Sequence, residues 1–144
     1  MASVHTNIRN ALEGNLYNVS GFPSAPSLAE ANAFEGVEFE PTEGVAWCRV
    51  RVYYLSRRPT DVTASGQQRY DGTFSVDVHS PFGLGAGAAE GLADNIVEAY
   101  EAGDVFSSDG VTVQIEHAEI NNSPTSEPPW VVVPVFVKWK AFFN

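Results

Sequence analysis

Apolar residues recur every three or four positions at Val4, Ile8, Leu12, Leu16 and Val19, a spacing that gathers them on one stripe of a helix. Ser3 or Thr6 can cap its start, and Gly21 with Pro23 ends it. Ser20 to Leu28 reads as a connecting loop, and Ala33 to Phe39 as a short, irregular extended piece before the turn signal Pro41-Thr42-Glu43-Gly44. Alternation then takes over. From Val45 to Leu55, one face carries Val45, Trp47, Arg49, Arg51 and Tyr53, and the other carries Ala46, Cys48, Val50, Val52 and Tyr54; the second is expected to face the core.

The polar stretch Ser56 to Gln68 predicts a flexible hairpin tip. Beyond it, Tyr70 to Ser80 sets Tyr70, Phe74, Val76 and Val78 against polar neighbours, as in a strand with one wet face. A glycine-rich entry, Pro81 to Gly87, leads to a second helical stripe at Ala89, Leu92, Ala93, Ile96 and Tyr100, which Gly103 terminates. Val111, Val113 and Ile115 mark a third strand, Asn121 to Pro129 a loop, and Trp130 to Phe142 a fourth strand. With no repeated βαβ unit, this order predicts an α+β fold: a mainly antiparallel sheet of about four to five strands packed against two helices. With no long linker and no internal repeat, residues 1–144 are expected to form a single domain.

Charge narrows the function classes. Eighteen acidic and eight basic residues give a net charge of −10, which opposes general attraction to nucleic acid or an anionic membrane surface. Seven of the eight cations, Arg49, Arg51, Arg57, Arg58, Arg69, Lys138 and Lys140, fall in two segments, an unevenness that suggests a surface facing a partner. The polar start resembles no signal peptide, and the longest apolar run, Trp130 to Val137, is too short to span a bilayer, so a soluble protein is expected. The lone Cys48 cannot close an intramolecular disulfide, and its apolar strand setting predicts a buried, inert thiol.

Enzyme chemistry finds little support. Gly83-Leu84-Gly85-Ala86-Gly87 precedes a helix but lacks the following Lys-Ser or Lys-Thr of a phosphate loop. His5, His79 and His117 are scattered, no serine sits in a nucleophile elbow, and Glu35, Glu38, Glu40 and Glu43 lack the ligand spacing of a calcium loop. No catalytic residue, metal or cofactor is therefore expected. Arg57 and Arg58, with Arg69 across the same loop, are candidate grips for a partner's carboxylates, and the loop beginning Asn121-Asn122 is a second candidate contact segment.

Several segments in order resemble the tail terminator family of long-tailed bacteriophages. They are Ile8-Arg9-Asn10-Ala11-Leu12-Glu13, Phe34-Glu35-Gly36-Val37-Glu38-Phe39-Glu40-Pro41, Ala46 to Val52, Gly72 to Val78, Ala88 to Asp94, Val111-Thr112-Val113 and Trp130 to Val135. The resemblance implies a non-enzymatic virion subunit, assembled in the host cytoplasm, that forms a hexameric ring on the finished tail tube. Such a ring stops tube polymerisation and offers a surface to the connector of the head. The implied partners are further copies of the chain, the tail tube protein and a neck protein, with genomic DNA passing through the pore unbound. An acidic pore lining would repel DNA phosphates. The alternatives are a head-closure or connector subunit of the same virion or, from another class, a small ligand-binding domain or hydrolase with a pocket between sheet and helices.

Overall fold

The computed structural model describes residues 3–60, 62, 63, 66–83 and 85–144. Asp61, Ala64 and Ser65 of the expected hairpin tip, and Leu84 of the glycine-rich entry, lie outside the described residues. The chain opens with helix α1 (Val4–Gly14), capped by Ser3, whose hydroxyl accepts from the Thr6 N–H, and continued by a 3-10 turn over Asn15–Asn18. A one-turn helix α2 (Leu28–Ala31) precedes the two-residue strand β1 (Ala33–Phe34). Two long strands follow, β2 (Trp47–Pro59) and β3 (Gln68–Pro81), then helix α3 (Gly87–Ala99). Four more strands complete the chain: β4 (Val105–Ser108), β5 (Val111–Glu119), β6 (Thr125–Glu127) and β7 (Trp130–Phe143).

The expectation of four to five strands on two helices is corrected here. Among the described residues, seven strands form one curled, mixed half-barrel sheet in the order β1-β2-β3-β7-β5-β4, with β6 added to β7 and few helices beside it. The sheet is mixed because β1 runs parallel to β2, while every other pairing is antiparallel. The three additional strands are two, four and three residues long, too short to show the alternation by which strands are read from sequence. β6 falls inside the expected 121–129 loop, and the expected tip at 56–68 shrinks because β2 runs on to Pro59.

β7 is the spine. It pairs with β3 from Trp130 to Phe143, and on its other edge with β6 at one end and β5 at the other. Pro134, which has no N–H, stands in the interval between those two pairings, where a missing donor is least costly. β4 and β5 are joined by the two-residue turn Asp109-Gly110, both with positive φ (44° and 84°), the conformation a tight hairpin needs.

The core lies on the concave face, between the sheet and the two main helices. Cys48, Val50, Val52, Phe74, Val76, Val78, Val133, Val135, Val137 and Trp139 point into it, joined by Ile8, Leu12 and Leu16 from the first helical segment and Ala89, Ala93 and Ile96 from α3. The face of β2 expected to be inward is the inward one. Tyr100, fully buried after α3, donates its hydroxyl to the Leu12 carbonyl, and the Asn15 side chain donates to the Ala99 carbonyl at 2.6 Å. These two bonds tie the end of α3 to the end of α1.

Candidate functional site

Among the described residues no helix covers the convex face of the sheet, and the strand registers show what stands there. Side chains alternate across a strand, so one residue known to point inward fixes the whole row. Reading across β2, β3 and β7, the convex rows are Arg49, Asp77 and Pro134, then Arg51, Ser75 and Phe136, then Tyr53, Thr73 and Lys138. A bulge in β2 between Tyr54 and Ser56 restores the pattern as Ser56, Asp71 and Lys140, then Arg58, Arg69 and Phe142.

Six of the eight cations thus share one face: Arg49, Arg51, Arg58, Arg69, Lys138 and Lys140. Four carboxylates of β3 and β5 stand among them: Asp71, Asp77, Glu116 and Glu119. A chain of ion pairs crosses the sheet at one end. Asp71 takes Arg69 at 2.8 Å and Arg58 at 3.6 Å, while Glu116 takes Lys138 at 3.7 Å and Arg69 at 3.9 Å. Arg58 and Arg69 are direct cross-strand neighbours, a repulsive arrangement that the shared Asp71 offsets. Arg49, Arg51 and Lys140 have no carboxylate within ion-pair distance among the described residues. Arg49 lies 5.4 Å over the Trp47 ring, and Arg51 reaches the Tyr53 hydroxyl at 3.5 Å.

At the opposite end of this face, Trp47 is stacked on His79 with centroids 3.8 Å apart and planes 13° from parallel, and Phe39 and Trp130 close around it. Burial lowers the His79 pKa from its ordinary 6.5, against the raising influence of its bond to the Asp77 carbonyl. The adjacent edge of β2 is partly closed. β1 pairs with Arg49 and Val50, Asn32 accepts from the Cys48 N–H at 3.0 Å, and Glu35 accepts from the Val52 N–H at 2.7 Å. From Tyr53 to Pro59 that edge has no partner strand among the described residues, and Leu55 there is 65% exposed.

The candidate contacts read from the sequence separate on the structure. Arg58 and Arg69 belong to the convex charge chain, whereas Arg57 points to the other face, over the rings of Phe143 (5.0 Å) and Tyr70 (5.9 Å). None of the three is on a loose tip; all lie in paired strand. Asn121 and Asn122 are exposed beyond β5, more than six residue steps along the strands from Arg69, roughly 20 Å. Arg49, Arg51, Lys138 and Lys140 complete the cationic face; their sequence signal was the spacing of two that aligns charges on one side of a strand.

Catalytic constellations do not assemble among the described residues. The three histidines are apart: His5 sits between Tyr54 and Tyr70, His79 is in the aromatic stack, and His117 is exposed beside Glu119. No group of three metal-ligating side chains occurs among the described residues. Cys48 is fully buried, and burial pushes its thiol pKa well up, away from the reactive thiolate. A groove of about 750 Å³ between the start of α1 and the Asp109-Gly110 turn offers one titratable side chain, Asp109.

Sheet, charge rows and grooves present extended surfaces. The comparisons with known proteins give the family: the model for the phage tail terminator protein matches residues 7–139, and the chain belongs to that family. It is accordingly a structural component of a bacteriophage tail and part of the virion. Nine solved chains match; one is 25% identical with a TM-score of 0.71, over 95% of this chain and 94% of its own. No curated protein matches.

Proposed function

We propose that the chain acts as a single domain that assembles into a hexameric ring on the end of the completed tail tube. The ring stops further polymerisation and presents its free side to the connector of the head, while DNA passes through without specific binding. The role is mechanical rather than catalytic, and assembly takes place in the host cytoplasm. The observation that supports this most directly is the uncovered convex face with its cations and an open β2 edge beside it: surface left bare in the single chain is surface for assembly. Arg57, Arg58, Arg69, Asn121 and Asn122 are exposed or half-exposed near the two ends of the sheet, and we assign them to contacts with the tube or the neck.

Light scattering tests the reading. The expected result is a mass near six times the 15.6 kDa subunit, in solution or on adding purified tail tubes, together with arrested tube growth. A protein that stays monomeric with tubes present and leaves their growth unchanged would falsify it.

A further inference from the structure

Charge is layered across this molecule. With Glu127, which β6 sets opposite Trp130, the convex face carries six cations and five carboxylates, a net +1, so the rest of the chain carries −11. Much of that negative charge lies on the opposite side. α3 turns Ala89, Ala93 and Ile96 into the core against β3 and β7 and holds no cation. Glu90, Asp94 and Glu98 recur every four residues along its exposed flank. Carboxylates at that spacing repel one another, and none of the three has an ion-pair partner among the described residues. Arg49, Arg51 and Lys140 are the uncompensated charges of the other side.

We infer that the convex face of one copy docks on the acidic flank of α3 of a second copy. This rests on the ring reading and adds its contact. The spacings agree: successive carboxylates four residues apart on a helix are about 6 Å apart, and Arg49 and Arg51, two residues apart on a strand, are about 7 Å apart. The half-buried Phe136 and the exposed ring of Tyr53 lie in the same rows as Arg51 and Lys138, and they give the contact apolar area at its centre. Two copies related by a twofold axis through this face would set two surfaces of the same net positive sign against each other. Charge therefore selects the face-to-back arrangement, in which two different surfaces meet and every copy keeps one of each free, as a closing ring requires. Duplex DNA is a poorer occupant, because carboxylates are interleaved with the cations and the whole chain is at −10.

The test mixes unlabelled and 15N-labelled protein at low salt, with and without purified tail tubes. A zero-length carbodiimide then joins amines to adjacent carboxylates, and mass spectrometry identifies links between copies. Lys140 or Lys138 joined to Glu90, Asp94 or Glu98 of the other isotope is the expected result. The pair Arg49→Glu, Arg51→Glu should remove that link and raise the concentration needed for assembly by ~10-fold or more, since like charges now face each other. Adding Asp94→Arg and Glu98→Arg should bring assembly back toward wild type, and thermal melts of the variants by circular dichroism check that the fold is intact. Links between copies that land elsewhere, at a mass of six subunits, overturn this contact and leave the ring standing. A monomer without inter-copy links, with or without tubes, removes both. If the arginine pair instead loses binding to a short duplex DNA while assembly is unchanged, the face belongs to DNA and the inference is wrong.

Discussion

The two faces of the sheet are made by the same strands and obey different physics. On the concave side, Val50, Phe74, Val76, Val135 and Trp139 are fully buried, and stability depends on shape. On the convex side of the same strands stand Arg49, Arg51, Asp77 and Lys138, and the ion pairs there, among Arg58, Arg69, Lys138, Asp71 and Glu116, are exposed or half-exposed and contribute at most about 1 kcal/mol each. One alternation of side chains thus yields a side that tolerates almost no change and a side free to be spent on partners. Variants on the concave side should change stability and leave surface electrostatics alone; variants on the convex side should do the reverse.

The sharpest break of that contrast should come from Gly72. It sits in β3 opposite the β2 bulge, with the Trp139 ring over it. A Cβ added there would lie 2.2 Å from the Tyr53 carbonyl oxygen and 2.3 Å from Trp139 Cζ2. The carbonyl is backbone and the indole is fully buried, so neither can move aside cheaply. Gly72→Ala should destabilise the fold by about 3 kcal/mol, the upper range for overpacking. Urea unfolding at neutral pH measures it; a loss below about 1 kcal/mol would mean that the two strands separate easily at the bulge.

Next in size is Tyr100→Phe. The hydroxyl lies in the core, burial pushes its pKa up, and its hydrogen bond closes the Leu12 carbonyl at the end of α1. Removing it leaves that acceptor without its donor in a dry site, at a cost of about 1–2 kcal/mol. Assembly of the folded variant, read by light scattering, should match wild type. Equal stability of Tyr100→Phe and wild type would show that water reaches the site.

How much of this was legible follows from element length. The first helix, α3 and the four long strands announce themselves by period, and the inward face of β2 follows from Cys48, Val50 and Val52. β1 and β6 are set by partners: Ala33-Phe34 is a strand because β2 offers an edge, and Thr125-Ser126-Glu127 because β7 has room beyond β5. β1 falls in the extended piece expected at 33–39, but no local pattern encodes its pairing, and none encodes β6. β4 is different, because Asp109-Gly110 is a readable hairpin signal that period alone omits. The site was half legible. Arg49 and Arg51 show their shared face in the sequence, but only the register sets Lys138 and Lys140 beside them and turns Arg57 away from Arg58. Asn32, fully buried and bonded to Pro23, Leu28 and Cys48, closes the β2 edge with no signal in its neighbourhood at all.

The smallest expected effect tests the convex side by pH. His79 donates Nδ1–H to the Asp77 carbonyl, so the proton gained on acidification goes to Nε2, beside the Trp47 ring. Burial is the largest influence and lowers its pKa; Asp77 and Glu127 work against it and Arg49 with it. The unfolded chain therefore takes the proton more readily than the folded one. The stability that neutral His79 contributes is complete above its ordinary pKa of 6.5 and is lost as pH falls through the lowered folded value. Between about pH 7.5 and about pH 5, wild type should lose more stability than His79→Gln, whose side chain does not titrate there. Glu13, whose pKa burial raises, is common to both proteins, so the difference between their profiles reports His79. Urea titrations of the two proteins across pH decide the matter. Parallel pH profiles for wild type and His79→Gln would mean that the imidazolium is accommodated in the stack at no cost, and that the aromatic end of the convex face is as open to water as the charged end.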